Sequence, residues 1–329
     1  IDLFGEKNIS LIWTDSEGKL FIAGCSGEAN SPDGLTRGHT LYCSTDGLKS
    51  FVPLTAPDPV KYENSSYYGF VPQRITSDSR YIYITFASSG EVFYGGMGAY
   101  ACDTGSLSGG KVYRYRIENG VPVFNKDITP EDHIPCGYSG ICSNGKMLLL
   151  STVCRKNGGD MIYTSTDSGE SWQIIMNRLE YSRFDWNIPY MKPRYNGGGN
   201  CVHWISDIKL SPFDSDTALF NTGTGLFMIT GLASGDVLVK PFCEGIEETV
   251  HLNVYTTPHG RNRIIDIIGD LGGFAFEDYD SECENSFANE NGDRYITCLN
   301  ADLTLSDPEY IVATPRGNWT GKTKGGLIL

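Results

Sequence analysis

The chain has 329 residues, a hydrophobic fraction of 40% and a net charge of −14, from 40 acidic and 26 basic residues. This acidic balance argues against nucleic acid and anionic membrane surfaces as partners, and it suits a neutral ligand. No apolar run approaches the roughly 20 residues of a membrane-spanning helix, and Ile1 does not open a signal peptide, so we expect a soluble chain, processed or excised from a longer one.

The residue pattern predicts an all-β fold in an oxidising compartment. Strand-sized runs are separated by Asn, Asp, Gly and Ser, and no long amphipathic helix is evident. The 10 cysteines lack the C-x-x-C spacing of a zinc site, which favours disulfides over a metal. Together with glycosylation triplets at Asn8, Asn64 and Asn318, they indicate an extracellular protein.

Strand patterns begin near the N-terminus and continue along the first half of the chain. Residues 9–24 read as a hairpin, and strict or near alternation predicts strands at 81–87 and 111–117. Further strands are predicted at 40–44, 147–153 and 161–165. The glycine-dense stretch 88–110 is predicted to be a long loop of the kind that carries function or shapes a cleft.

Two hairpin motifs mark the architecture. Residues 165–172, Ser-Thr-Asp-Ser-Gly-Glu-Ser-Trp, match the Asp-box pattern Ser-x-Asp-x-Gly-x-x-Trp completely. Residues 44–51 are a degenerate copy, with Leu48 in place of the glycine and Phe51 in place of the tryptophan. Two copies of one device separated by other strand pairs predict repeated four-stranded units, and hence a β-propeller. Asp46 and Asp167 are therefore interpreted as structural.

Aromatic residues are concentrated in the loop-like segment 180–204. Of these we nominate Trp186, Tyr190 and Trp204 as sugar-stacking residues, although core packing accounts for any single one equally well. Two strands are then predicted within 204–229, around the turn Pro-Phe-Asp-Ser-Asp. Tyr68 and Tyr100 are weaker candidates for sugar contacts. Glu247 and Glu248 are interpreted either as a second carboxylate or as surface charge. His203 and His259 are interpreted as structural histidines.

The stretch 264–276 is interpreted as a buried strand that ends in Gly-Asp-Leu-Gly-Gly-Phe. Four β-branched isoleucines suit a strand covered on both faces, and the glycines permit unusual backbone conformations. Asp270 would then be presented at the mouth of the strand. The alternative is a turn aspartate that bonds its own backbone.

These segments, in this order, resemble glycoside hydrolase family 74, the xyloglucan-active endoglucanases and oligoxyloglucan-specific cellobiohydrolases. The matching runs are YIYITF, GGKVYRY, DITP, the Asp box at 165, WISDIKLSPFDSDTALFNTGTG, GIEET and GDLGGF. The resemblance implies a tandem pair of seven-bladed propellers, with residues 1–263 as blades of the first and 264–329 as the start of the second. It also implies that this is an internal portion, with the rest of the module outside the chain.

The resemblance assigns Asp270 as the general acid of an inverting hydrolysis of the β-1,4-glucan backbone of xyloglucan, without a cofactor or metal. Its partner base belongs to an Asp-Val-Gly-Gly motif that this chain does not contain. We expect partial burial among isoleucines and aromatics to keep Asp270 protonated before attack. The alternatives are a non-catalytic glycan-binding propeller and a sialidase, which needs three arginines where only Arg74 has a suitable context.

Overall fold

The computed structural model describes residues 9–25, 40–58, 60–61, 67–68, 70–88, 109–131, 136–155, 159–177, 183–188, 191, 202, 204–246, 249–280, 282, 286–304, 306–317 and 324–325. Within these ranges the regular elements are β-strands, and no α-helix is present. None of the described elements is a helix long and apolar enough to cross a bilayer.

Four sheets have the same plan, in which four consecutive strands pair antiparallel in chain order. This meander is the blade of a β-propeller, so the predicted fold class is confirmed. The four sheets are β1 (Ile9–Thr14), β2 (Phe21–Cys25), β3 (Leu41–Ser44) and β4 (Val52–Pro53); β7 (Phe70–Ser77), β8 (Tyr81–Ser88), β9 (Gly110–Glu118) and β10 (Val121–Asp127); β11 (Gly137–Ser143), β12 (Leu148–Val153), β13 (Met161–Ser165) and β14 (Gln173–Asn177); and β15 (Asp207–Leu210), β16 (Ala218–Thr222), β17 (Gly225–Thr230) and β18 (Leu238–Pro241).

The remaining strands form smaller sheets. A two-stranded ribbon joins β5 (Val60–Lys61) and β6 (Tyr67–Tyr68), and a three-stranded sheet contains β19 (His251–Thr256), β20 (Ile264–Ile268) and β21 (Gly272–Phe276). The last pair is β22 (Cys298–Thr304) with β23 (Asp307–Pro315). The chain divides into two compact units, one of residues 1–185 and 202–242 and the other of 186–201 and 243–329. The assignment of 1–263 and 264–329 to two propellers stays a prediction.

Apolar side chains fill the space between successive sheets of the first unit. Ile82, Ile84 and Phe86 of β8 join one core cluster, while Tyr83 of the same strand joins the next. Alternate residues of a strand point to opposite faces, so β8 is buried on both. This explains why the chain reads there as a nearly continuous apolar run.

Both Asp boxes form the expected turn. The Ser165 hydroxyl donates to Asp167 Oδ1 (2.7 Å) and accepts from the N–H of Gly169 (2.9 Å), and the Ser171 hydroxyl donates to Asp167 Oδ2 (2.6 Å). The bonds from the hydroxyl and N–H of Ser171 lower the pKa of Asp167 to about 2. Trp172 Nε1 donates to the carbonyl of Ile128 (2.7 Å), which anchors the turn to the segment after β10.

The degenerate copy adopts the same geometry without its glycine. Ser44 Oγ donates to Asp46 Oδ1 (2.9 Å) and accepts from the N–H of Leu48 (3.1 Å), which has a φ of +67°. The Ser50 hydroxyl is the main group that holds the pKa of Asp46 well below its usual range. The structural interpretation of both aspartates is therefore confirmed.

Two expectations need correction. The segment 204–229 was expected to hold two strands, but the short Gly223-Thr224 turn lets a further strand, β17, pair with β16. The cysteines were expected in disulfides, but Cys43, Cys142 and Cys298 are buried free thiols. Burial raises the pKa of Cys142 to about 12, so this thiol is a packing residue and not a reactive one.

Candidate functional site

Asp270 lies at the tip of the hairpin between β20 and β21. Ile268 pairs with Gly272, so residues 269–271 form the connection. Asp270 has a φ of +63°, in the left-handed region that aspartate tolerates better than most residues. Its N–H donates to Thr297 Oγ1 (3.0 Å), which fixes the tip to the segment before β22.

The two glycines after Asp270 are required by close backbone contacts. A Cβ on Gly272 would lie 2.9 Å from the carbonyl oxygen of Tyr295, and one on Gly273 would lie 2.8 Å from that of Asp266. The N–H of Gly272 donates to the carbonyl of Ile296 (3.0 Å). The hairpin tip is thus held by its neighbours in one backbone conformation.

The carboxylate of Asp270 is exposed, so the expected partial burial is wrong. The reason is that the left-handed residue projects from the tip, while the buried positions are those of the strand before it, from Ile265 to Ile268. Within the described residues, the carboxylate makes no hydrogen bond or ion pair, so it does not cap its own turn.

A second polar group lies at the same end of this sheet and was not foreseen from sequence. The Nδ1 of His251 lies 2.8 Å from Asp266 Oδ2, and its Nε2 lies 2.6 Å from Thr249 Oγ1. Thr249 and Asp270 directly flank the hydrogen bond from the N–H of Gly269 to the carbonyl of Val250 (2.8 Å). The signal was present, because an aspartate inside the run Ile-Ile-Asp-Ile-Ile is a charged group in a buried strand.

Trp204, in the first unit, has the features of a ligand platform. It is 49% exposed and has a φ of +55°, an outlier for a bulky residue. It lies beside the buried carboxylate of Asp160, which accepts from the Thr152 hydroxyl (2.8 Å) and from the N–H groups of Arg155 (3.1 Å) and Ile205 (3.3 Å). Burial raises the pKa of Asp160. The bond from the N–H of Ile205 holds the backbone directly after the tryptophan.

The other nominated residues are distributed as follows. Trp186 is half-buried and belongs to the same unit as Asp270, whereas Trp204 belongs to the other unit. Arg74 forms an ion pair with Asp207 in the first unit, with 3.1 Å from Arg74 Nε to Asp207 Oδ2. His259 is exposed. Tyr190, Tyr100, His203, Glu247, Glu248 and the side chain of Tyr68 lie outside the described residues.

No protein-family model matches the chain. Among curated proteins, it is 22% identical over 209 residues to a xyloglucanase of a Paenibacillus species, a match that covers 56% of this chain and 19% of that protein. It is 23% identical over 244 residues to the oligoxyloglucan-reducing end-specific xyloglucanase of Emericella nidulans, covering 63% of this chain and 30% of that protein. The chain therefore spans less than a third of the length of these relatives.

Solved structures show the same relationship in the fold. The GH74 xyloglucanase of Xanthomonas campestris superimposes with a TM-score of 0.71 at 19% identity, over 95% of this chain and 42% of the enzyme. The chain resembles family GH74 in sequence and in fold. A second GH74 enzyme, from Niastella koreensis, gives a TM-score of 0.67 at 18% identity, over 97% of this chain and 43% of that one.

The predicted resemblance to GH74 is thus confirmed. Seven blades for each propeller, the catalytic role of Asp270, the sugar contacts of Trp186, Tyr190 and Trp204, and extracellular localisation stay predictions. Within the described residues of this GH74-like chain, no group of three His, Cys, Asp or Glu side chains is arranged to hold a metal ion.

Proposed function

We propose that the protein containing this chain hydrolyses the β-1,4-glucan backbone of xyloglucan, outside the cell, with Asp270 as the general acid. The observation that carries the proposal is the exposed Asp270 residue on a hairpin tip that is bonded through its N–H to Thr297 and through the N–H of Gly272 to Ile296. The xyloglucanase relatives supply the substrate class. The net charge of −14 suits a neutral polysaccharide.

The proposed chemistry is inverting hydrolysis. Asp270 gives a proton to the leaving glycosidic oxygen while a second carboxylate activates water on the opposite face of the sugar. The two carboxyl groups would stand about 6.5–9.5 Å apart to leave room for that water. The second group is expected from the Asp-Val-Gly-Gly motif of the family, which this chain does not contain, so the complete polypeptide must supply it.

Trp204, Trp186 and Tyr190 are proposed to bind the glucan by stacking on its pyranose rings. The support is strongest for Trp204, because a bulky residue in a sparsely populated conformation is maintained only when its surroundings hold it there. Asp160 and its bonded backbone provide such surroundings. We expect Trp204→Ala to weaken xyloglucan binding while leaving the rate at saturating substrate less affected.

The test is the release of reducing ends from xyloglucan by the complete polypeptide. Asp270→Asn is expected to lower the turnover rate by about 10²- to 10⁴-fold, the range typical of a lost general acid. Asp280→Asn, at another exposed aspartate of the same unit, is the matched control and should retain full activity. Unchanged turnover of Asp270→Asn would remove the assignment.

A glycan-binding protein without hydrolytic activity is the second candidate, since an acidic Asp-box propeller can bind a neutral glycan without cleaving it. It predicts that the complete polypeptide binds xyloglucan and releases no reducing ends. Asp270→Asn would then leave affinity and product formation equally unchanged.

A further inference from the structure

We propose that Thr249, His251 and Asp266 form a hydroxyl–imidazole–carboxylate triad in which Thr249 acts as a nucleophile toward neutral acyl esters. The proposal concerns a second hydrolytic activity and does not depend on the role of Asp270. Its basis is the order and spacing of the three side chains, with 2.6 Å from Thr249 Oγ1 to His251 Nε2 and 2.8 Å from His251 Nδ1 to Asp266 Oδ2.

The sheet brings the triad together from two strands. His251 opens β19 and pairs with Ile268 of β20, two residues from Asp266 on the same face of the strand. The imidazole therefore reaches Asp266 as a diagonal cross-strand neighbour. A register shift lies between His251 and Asn253, and such bulges re-aim side chains at the edges of sheets. Thr249 precedes β19 by two residues, on the side of His251 Nε2.

The hydrogen bonds set the direction of proton transfer. A carboxylate can only accept, so Asp266 fixes the proton of a neutral imidazole on Nδ1. The Nε2 lone pair is then the acceptor for the Thr249 hydroxyl. This is the tautomer that a general base needs when it activates a neighbouring hydroxyl.

The three side chains of the triad differ in burial in the way that the chemistry requires. The Asp266 side chain is 12% exposed, whereas that of His251 is 52% exposed. Thr249 is half-buried. The orienting carboxylate is thus shielded from water, which strengthens its bond to the imidazole, while the base and the hydroxyl are open to a ligand.

The proposed reaction has two balanced steps. Thr249 Oγ1 attacks the ester carbonyl carbon as its proton moves to His251 Nε2, and the C–O bond to the alcohol breaks as Nε2 returns that proton to the leaving oxygen. Water then attacks the acyl-threonine ester, again losing a proton to Nε2, and the released Thr249 oxygen takes it back. The products are an alcohol and a carboxylic acid, and no oxidant or cofactor is consumed.

The surroundings favour an uncharged substrate. Gly269, next to Asp270 in sequence, donates its N–H to the carbonyl of Val250, next to Thr249, and the chain carries a net charge of −14, so an anionic acyl group would be repelled. Small neutral esters, such as acetyl groups on sugar hydroxyls, fit this requirement. A site of this type would remove acyl groups beside the same hairpin tip that carries Asp270.

The test uses the intact chain and a fluorophosphonate probe, which forms a P–O bond to an activated hydroxyl with loss of fluoride. Peptide mass spectrometry should find the adduct on Thr249 in the wild type and on the serine of Thr249→Ser. His251→Gln and Asp266→Asn should lower the labelling rate at least tenfold. Thr256→Val, at an exposed threonine on the same strand, and Asp280→Asn, at an exposed aspartate of the same unit, should label normally.

The same variants should rank in the same order in hydrolysis of p-nitrophenyl acetate, with Thr249→Val at least tenfold below Thr256→Val. Thermal melting of each variant shows whether it is folded. The proposal is overturned if neither the wild type nor Thr249→Ser forms an adduct at this position, or if labelling is independent of His251. Because labelling reports on Thr249 and release of reducing ends reports on Asp270, failure of glycan hydrolysis and failure of the triad are separate results.

Discussion

Gly169→Ala in the complete Asp box tests how tightly this turn is packed against Ile128, in the segment after β10. Gly169 has a φ of +85°, and an added Cβ would lie 2.5 Å from Cδ1 and 3.2 Å from Cβ of Ile128. Ile128 is 3% exposed, and its carbonyl accepts the bond from Trp172 Nε1. A left-handed alanine costs about 1–2 kcal/mol, and an overpacked methyl group costs about 1–3 kcal/mol. We therefore expect a loss of about 2–5 kcal/mol.

Gly145→Ala is the matched control. Gly145 has a φ of +83°, but in the described part of the chain no heavy atom lies within 4 Å of the added Cβ. It should lose only the conformational part, about 1–2 kcal/mol. Urea unfolding followed by tryptophan fluorescence gives both values from the midpoint shift at constant slope. Equal losses in the two variants would show that the contact with Ile128 has no energetic weight, and the packing argument would be refuted.

Three further outcomes follow from polar and thiol groups of the first unit. The pKa of Asp167 is lower in the folded protein than in the unfolded chain, so its contribution to stability is full above the unfolded pKa near 4 and is lost as the pH falls through about 2. The stability advantage of the wild type over Asp167→Asn should therefore shrink between pH 5 and 2. Acid titrations followed by circular dichroism measure this difference. Iodoacetamide at pH 8 should leave Cys142 unmodified in the native protein and alkylate it in urea, as mapped by mass spectrometry. Asp160→Asn should cost about 1–3 kcal/mol in urea unfolding, because both carboxylate oxygens accept bonds and an amide nitrogen cannot; an unchanged midpoint would contradict the bonding scheme.

The blades could be predicted because their signals are local. The alternation in 111–117 and the Asp box at 165–172 each determine a strand or a turn within a few residues, and both are present as expected. The strand β17 was missed because the two-residue turn at Gly223-Thr224 leaves almost no polar gap between it and β16. When a hairpin connection is this short, the boundary between its two strands cannot be located from the polar loop residues that separate other strands.

The candidate site was only half predictable, for a related reason. Glycines lie on both sides of Asp270 in the sequence, so its place on a tight turn could be inferred. Its exposure could not, since that depends on the direction in which a left-handed residue projects. His251 and Asp266 are 15 residues apart, and they meet only because β19 and β20 pair with a particular register and bulge.

Energetics give a reason to regard Asp266 as more than a structural residue. The Asp266 side chain is 12% exposed, so it loses most of its hydration on folding, and such a loss can exceed what a bond to a half-exposed histidine returns. Replacing a buried polar pair by well-packed apolar residues is often neutral or stabilising. The polar residue is therefore better explained by what it does to His251 than by what it adds to the fold. Asp266 fixes the imidazole tautomer that leaves Nε2 facing Thr249. Its role is therefore to orient a base at this end of the sheet.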